Sequence, residues 1–203
     1  MSRGPGGRWK LDTGAHRKTE SSRGSCPVCL EEQRKDLSMD IYEFFAQHAI
    51  GYQRYDHEPV FTCEQADRLC LPGGSAKTKN LFLRDRKGRR HFLISVMADK
   101  TVNVKALEEV LEVKGLSFAS PERLMKHLGL TPGAVTILGV LNDRDSRVEV
   151  IVDEDLWKCS SLQCHPLVNT STLVISLDDV RRFLKLTDNP VRVLRIPCRN
   201  GES

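Results

Sequence analysis

An α+β domain is predicted, with a mixed, largely antiparallel sheet or partial barrel flanked by helices. Three observations predict it. Alternating apolar segments pair across short polar turns, most clearly at 77–97. Helix-start signatures interrupt those segments at Asn103, Ser120-Pro121 and Ser176. No internal repeat divides the 203 residues, a length suited to one domain, or one domain and a tail.

Taken in order, residues 1–35 are rich in Gly, Ser, Arg and Lys and lack apolar periodicity. They hold too little apolar surface to offset ordering entropy and read as a disordered basic tail, leaving 39–197 as the domain. Ile41, Phe44, Phe45 and His48 then recur at helical spacing, and 51–55 reads as a strand leading to Asp56-His57-Glu58-Pro59. Thr62 and Gln65 form a capping box for a helix that carries Ala66 and Leu69 and stops before Pro72-Gly73-Gly74. Lys77 to Asp85 starts polar and becomes an alternating strand, with Leu81 and Leu83 on one face and Phe82 on the other. Arg86-Lys87-Gly88-Arg89 turns the chain, and 90–97 returns as the second strand. Asn103 caps a helix with Ala106, Leu107, Val110 and Leu111 on one face. Ser120-Pro121 starts another that Gly129 ends. Residues 134–141 and 147–152 are expected to form a second hairpin around 142–145. A strand at 172–176, a helix capped by Ser176 and a strand at 191–196 complete the pattern.

Net charge is +4, of which residues 1–38 carry +3. The globular part is nearly neutral, so any nucleic-acid contact must come from a local patch rather than a bulk field. The densest patch is the hairpin tip with Arg84, Arg86, Lys87, Arg89 and Arg90. It is either a solvated turn that protects an edge or a phosphate-binding surface. No apolar run approaches the ~18 residues that span a bilayer, and no secretory core follows the basic start, so a cytoplasmic location is expected.

Seven cysteines, an odd number outside a small secreted framework, imply reduced thiols. Cys26-Pro27-Val28-Cys29 is a lone C-x-x-C, and Cys63 and Cys70 do not supply the second half of a zinc pattern. No metal and no cofactor are expected. Hydrolase signatures are incomplete as well. Gly73-Gly74-Ser75-Ala76-Lys77 lacks the last Gly of G-x-S-x-G, and a phosphate-binding loop around Lys77-Thr78 lacks its glycines. Of six histidines, only His165 stands in a cluster of other ligand-facing types, whereas His91 reads as a strand residue.

Several segments nevertheless occur in a meaningful order: "TKNLFLRD" at 78–85, "FASPERL" at 118–124, "TPGAVT" at 131–136, "ND" at 142–143 and "CHPLVNTST" at 164–172. Together they resemble the freestanding prolyl-tRNA editing proteins of the YbaK/ProX group, related to the editing domain inserted in bacterial prolyl-tRNA synthetases. The likeness spans about Met39 to Arg195, and within the group the motifs point to the alanine-clearing branch. It implies hydrolysis of the ester joining a wrong amino acid to tRNA(Pro), without membrane association and with prolyl-tRNA synthetase as a further partner. A cysteine-clearing deacylase of the same fold, or a non-catalytic module that binds tRNA or the synthetase, are the alternatives.

The resemblance also implies roles. Lys79 and Asn80, at the mouth of their strand, would hold the terminal adenosine or its phosphate and orient the ribose or carbonyl. His165 would shape the amino-acid pocket or orient the ester. Pro132 and Gly133 would offer exposed backbone to substrate, or form a plain turn. Asn169, Thr170 and Thr172 would line the pocket or satisfy local backbone. Arg86, Lys87, Arg89 and Arg90 would meet tRNA phosphates. An activated ester needs only positioning, one water and oxyanion stabilisation, so such a site can work without a Ser-His-Asp triad.

Overall fold

The computed structural model describes residues 40–59 and 74–199. The tail, the C-x-x-C at 26–29, Cys63 and Cys70, and the capping box, helix and Pro-Gly start at 62–73 lie outside the described residues. Among the described residues no helix is long and apolar enough to cross a membrane.

Helix α1 (Ile41–Gln47) begins where Asp40 Oδ1 accepts the amide of Tyr42 at 2.8 Å. Strands β1 (Tyr52–Asp56), β2 (Ala76–Arg84) and β3 (His91–Met97) precede α2 (Val104–Val110). A short β4 (Ser117–Phe118), α3 (Pro121–Leu128) and a 3-10 helix (Ile137–Asn142) follow. Then come β5 (Val148–Asp153), a single 3-10 turn (Leu156–Lys158), β6 (Ser161–Cys164), β7 (Ser171–Ser176), α4 (Leu177–Leu186) and β8 (Val191–Leu194). The predicted caps operate: the side chains of Asn103, Ser120 and Ser176 accept the amides of Ala106, Arg123 and Asp179.

The sheet has eight strands in the order β1-β7-β6-β2-β3-β5-β8, with β4 on β2. Four of the seven pairings are antiparallel, and β6 with β2, β3 with β5 and β5 with β8 are parallel. The mixed α+β architecture is therefore as predicted, in its open-sheet form. Both faces are covered over β2 and β3. Phe82 and Leu93 join the main core with α1, α3 and α4, while Leu83, Phe92, Ile94 and Val96 pack with Leu107 of α2 and with Leu111, which caps its end.

The second predicted hairpin does not form. Residues 137–140 are buried on every side, so their apolar run carries no two-residue period to specify a strand. Thr136 accepts the amide of Leu138 at 3.3 Å and starts a 3-10 helix instead. Gly139 lets Leu130 pack closely, since a Cβ there would fall 2.7 Å from Leu130 Cδ1. Strand β5 finds its partners in β3 and β8.

Candidate active site

Strand β2 changes neighbours along its length. Ala76 and Lys77 pair with Leu162 and Gln163 of β6, and from Thr78 onward the strand pairs with β3. The Thr78 hydroxyl donates to the Gln163 carbonyl at 2.7 Å, holding β2 to β6 one residue further. Lys79 and Asn80 pair with Val96 and Ser95, so they lie inside a nine-residue strand and not at its mouth. The polar run at 77–80 stays in the sheet because β6 and β3 satisfy its backbone in turn.

Alternation sends Lys79 and Asn80 to opposite faces. Asn80 shares the face of Phe82 and Ser95, and the Ser95 hydroxyl donates to its Oδ1 at 2.6 Å. Lys79 shares the face of Val96 and Leu81. Among the described residues its ammonium meets no carboxylate; the bonded pairs lie elsewhere, as at Arg90–Glu149 and Lys100–Asp153.

His165 directly follows β6. Leu162 and Cys164 point into the main core, so Gln163 and His165 take the other face. Continuing the pairing of Lys77 with Gln163 by two residues brings Lys79 level with His165 on that face. Strand β7 adds Thr172, because Cys164 pairs with Leu173 and the next positions face each other. Strand β1 pairs Tyr55 with Thr172 and delivers His57 at its end. The result is a polar row on the face away from the main core: His57, Thr172, His165 and Lys79.

The histidines are oriented. His57 Nδ1 donates to the Glu58 carbonyl at 2.8 Å, so its Nε2 accepts the Thr172 hydroxyl at 2.9 Å. Its ring stands edge-on to that of His165, with centroids 6.4 Å apart. His165 Nδ1 donates to the Ser171 carbonyl at 3.2 Å. Burial holds His165 below the usual histidine range and nearby His57 adds to the effect, while the Ser171 carbonyl opposes it. A neutral ring with Nδ1 engaged leaves Nε2 as an acceptor, suited to a hydroxyl or a water. Next to it, Leu167 holds a left-handed φ of 64°, an uncommon conformation for leucine.

The other predicted residues divide. Thr172 joins the row. Thr170 is exposed, and its carbonyl accepts the amide of His57 at 2.9 Å; half-buried Asn169 lies beside it in the same loop. Pro132 and Gly133 form an exposed turn in which Ala134 N donates to Thr131 O at 3.1 Å, with Gly133 at φ 90°. No described hydrogen bond ties that turn to Lys79 or His165. At the hairpin tip Arg86, Lys87 and Arg89 are exposed. Arg90 is not free for phosphate: it makes a two-pronged pair with Glu149 at 2.7 and 2.8 Å and lies over the Phe92 ring. His57 was not expected in the site. The signal that would have placed it, the pairing of β1 with β7, is invisible to local patterning.

An open mixed sheet thus carries, among the described residues, a face with two oriented histidines, a threonine hydroxyl and a lysine. Residues 57–183 match the aminoacyl-tRNA editing domain family, and the chain belongs to it; the class is that of aminoacyl-tRNA deacylases. Among its relatives is the prolyl-tRNA editing protein ProX of Acetoanaerobium sticklandii, 38% identical over 147 residues that cover 72% of this chain and 90% of the relative. The prolyl-tRNA synthetase associated domain-containing protein 1 of Danio rerio is 31% identical over 161 residues, covering 78% and 87%. A crystal structure described as a candidate trans-editing enzyme for prolyl tRNA synthetase shares the fold. It has a TM-score of 0.59 at 15% identity and covers 86% of this chain and 100% of its own.

Proposed function

We propose that this protein removes alanine from mischarged tRNA(Pro), acting in trans after the synthetase has released its product. The observation that supports it most is the placement of Lys79 and His165 on one sheet face, level across the β2–β6 seam. Lys79 is the cation for the terminal phosphate or the developing oxyanion, and His165 Nε2 accepts from the attacking water or the free ribose hydroxyl. Thr172 and His57 hold the floor beside them. Asn80, turned to the other face and bonded to Ser95, braces β2 against β3 and acts on the site through strand position.

Selectivity follows from size. A synthetase pocket shaped for proline gains only about 1–3 kcal/mol against a smaller side chain, so alanine enters it and must be cleared elsewhere. A pocket that admits alanine and excludes proline supplies the second sieve. The test is deacylation of alanyl, cysteinyl and prolyl esters of the same tRNA(Pro) at substoichiometric protein. Rapid loss of the alanyl ester alone is expected. Preferential loss of the cysteinyl ester would move the protein to the cysteine-clearing branch, and no turnover of any ester would make it a binding module.

A further inference from the structure

Strands β3, β5 and β8 are neighbours, run parallel and finish at the same edge of the sheet. In an open parallel sheet the loops leaving the carboxyl ends diverge and leave a crevice that takes ligands. Here they surround a cavity of about 750 Å³, within the roughly 300–1,000 Å³ of small-molecule sites. Asp99 and Lys100 reach it after β3, Asp155 after β5, and Arg195 and Cys198 after β8.

The cavity walls are fixed. Asn103 N donates to Pro197 O at 2.8 Å and Arg199 N to Thr101 O at 2.9 Å, with Val102 bridged to Cys198 between them. The Lys100 ammonium is anchored on fully buried Asp153 and lies 3.6 Å from Asp155. The cavity also reaches the start of β2. Met97, which lines it, pairs with Thr78, the residue before Lys79, and Ala98 N donates to Lys77 O at 3.0 Å.

Its chemistry combines three kinds of group. Arg195 suits a phosphate, with Lys100 held beside it by Asp153 and Asp155; Asp99, and Asp155 alongside its Lys100 and Lys158 partners, accept from an exocyclic amine or a ribose hydroxyl; Met97 and Pro197 offer apolar surface to a base face. A site for inorganic phosphate has no use for two carboxylates, and an apolar ligand has none for four charges. A nucleotide uses all three. Resting on the proposed tRNA editing, we infer that this cavity receives the nucleotide preceding the terminal aminoacyl-adenosine, so that the single-stranded acceptor end bends over the start of β2.

Cys198 is a half-exposed free thiol in the cavity lining and reports on occupancy, with half-exposed Cys159 as an internal reference. Full-length protein is alkylated with iodoacetamide, and each cysteine is followed by peptide mass spectrometry. Uncharged tRNA(Pro) with its intact CCA end, and the trinucleotide CCA, should each slow Cys198 relative to Cys159 by about fivefold or more. The same tRNA trimmed of its CCA end should not. Equal rates with and without intact tRNA, equal protection by trimmed tRNA, or protection by free cytidine monophosphate but not by tRNA would each overturn the proposal. Arg195→Gln should raise KM for Ala-tRNA(Pro) at least about tenfold, the loss of one charged hydrogen bond, and an unchanged KM counts against it. The two claims fail separately. Turnover of the alanyl ester with Cys198 unprotected removes the subsite and keeps the function. CCA-dependent protection without turnover removes the deacylase and keeps the binding site.

Discussion

At the scale of single residues, the candidate site is defined by orientation. His165 and His57 each commit Nδ1 to a carbonyl, which fixes both tautomers and turns both Nε2 atoms into acceptors. Thr172 supplies the hydroxyl for His57, and the remaining acceptor is on His165, which shares a sheet face with Lys79. Lys79→Ala should therefore lower deacylation of Ala-tRNA(Pro) at least about tenfold, or ~1.4 kcal/mol of transition-state stabilisation. Half-buried and without a carboxylate partner among the described residues, Lys79 should leave the melting temperature nearly unchanged when replaced. A folded Lys79→Ala protein with parental kinetics would remove this residue from the mechanism. His165→Ala should also lower activity, and the space it opens should let Pro-tRNA(Pro) become a substrate, measured as release of proline from the prolyl ester.

Among the elements, the β2–β3 hairpin carries candidate residues at both ends. Lys79 lies about seven residues from Arg86, or ~24 Å at 3.4 Å per residue. A ligand that touches both ends must be extended, as an acceptor arm is. Neutralising Arg86, Lys87 and Arg89 together should weaken tRNA binding and flatten its salt dependence, by a slope of about 0.9 for each phosphate that is no longer neutralised. Unchanged affinity at low salt would place the tRNA surface elsewhere. Arg90 belongs to a separate experiment: paired with Glu149 and stacked on Phe92, its replacement should be read in stability. Helix α3 depends on its terminus. Gly129 sits at φ 63°, and a Cβ there would fall 2.9 Å from Asn142 Nδ2, which donates to Leu128 O. Gly129→Ala should cost about 1–2 kcal/mol, from left-handed strain and displacement of that amide, visible as a melting temperature lowered by several degrees.

For the whole molecule, three histidines couple stability to pH. Burial lowers His91 to about 4, helped by nearby His127 and Arg123, and burial also lowers His127 and His165. Arg123 Nη1 lies 3.1 Å from His91 Nε2, and a guanidinium only donates, so that nitrogen must stay unprotonated. The unfolded chain, with histidines near 6.5, binds more protons than the folded one below that value. Stability is then complete above about pH 6.5 and lost progressively as pH falls toward 4. Thermal melts at pH 7.5 and 5 should show it, with a smaller drop in His91→Gln; equal melting temperatures would refute the coupling. By itself, the sequence determined what is set within a few residues. The caps at Asn103, Ser120 and Ser176 and the turn at 86–89 need only local chemistry, and the alternation of Leu81, Phe82 and Leu83 reports two buried faces directly. Lys79, Asn80 and His165 were singled out as candidates through motif order, because type and spacing survive without coordinates. Tertiary structure alone decided which of them share a face. The parallel pairing of β2 with β6 joins residues 86 positions apart and sets His165 on the sheet face of Lys79, while alternation along β2 turns Asn80 to the other. The pairing of β1 with β7 brings His57 to the same face, and burial of 137–140 on every side puts a 3-10 helix where a strand at 134–141 was expected. Strand pairing is a non-local compromise between backbone hydrogen bonds and core volume, and a one-dimensional pattern leaves its partners open.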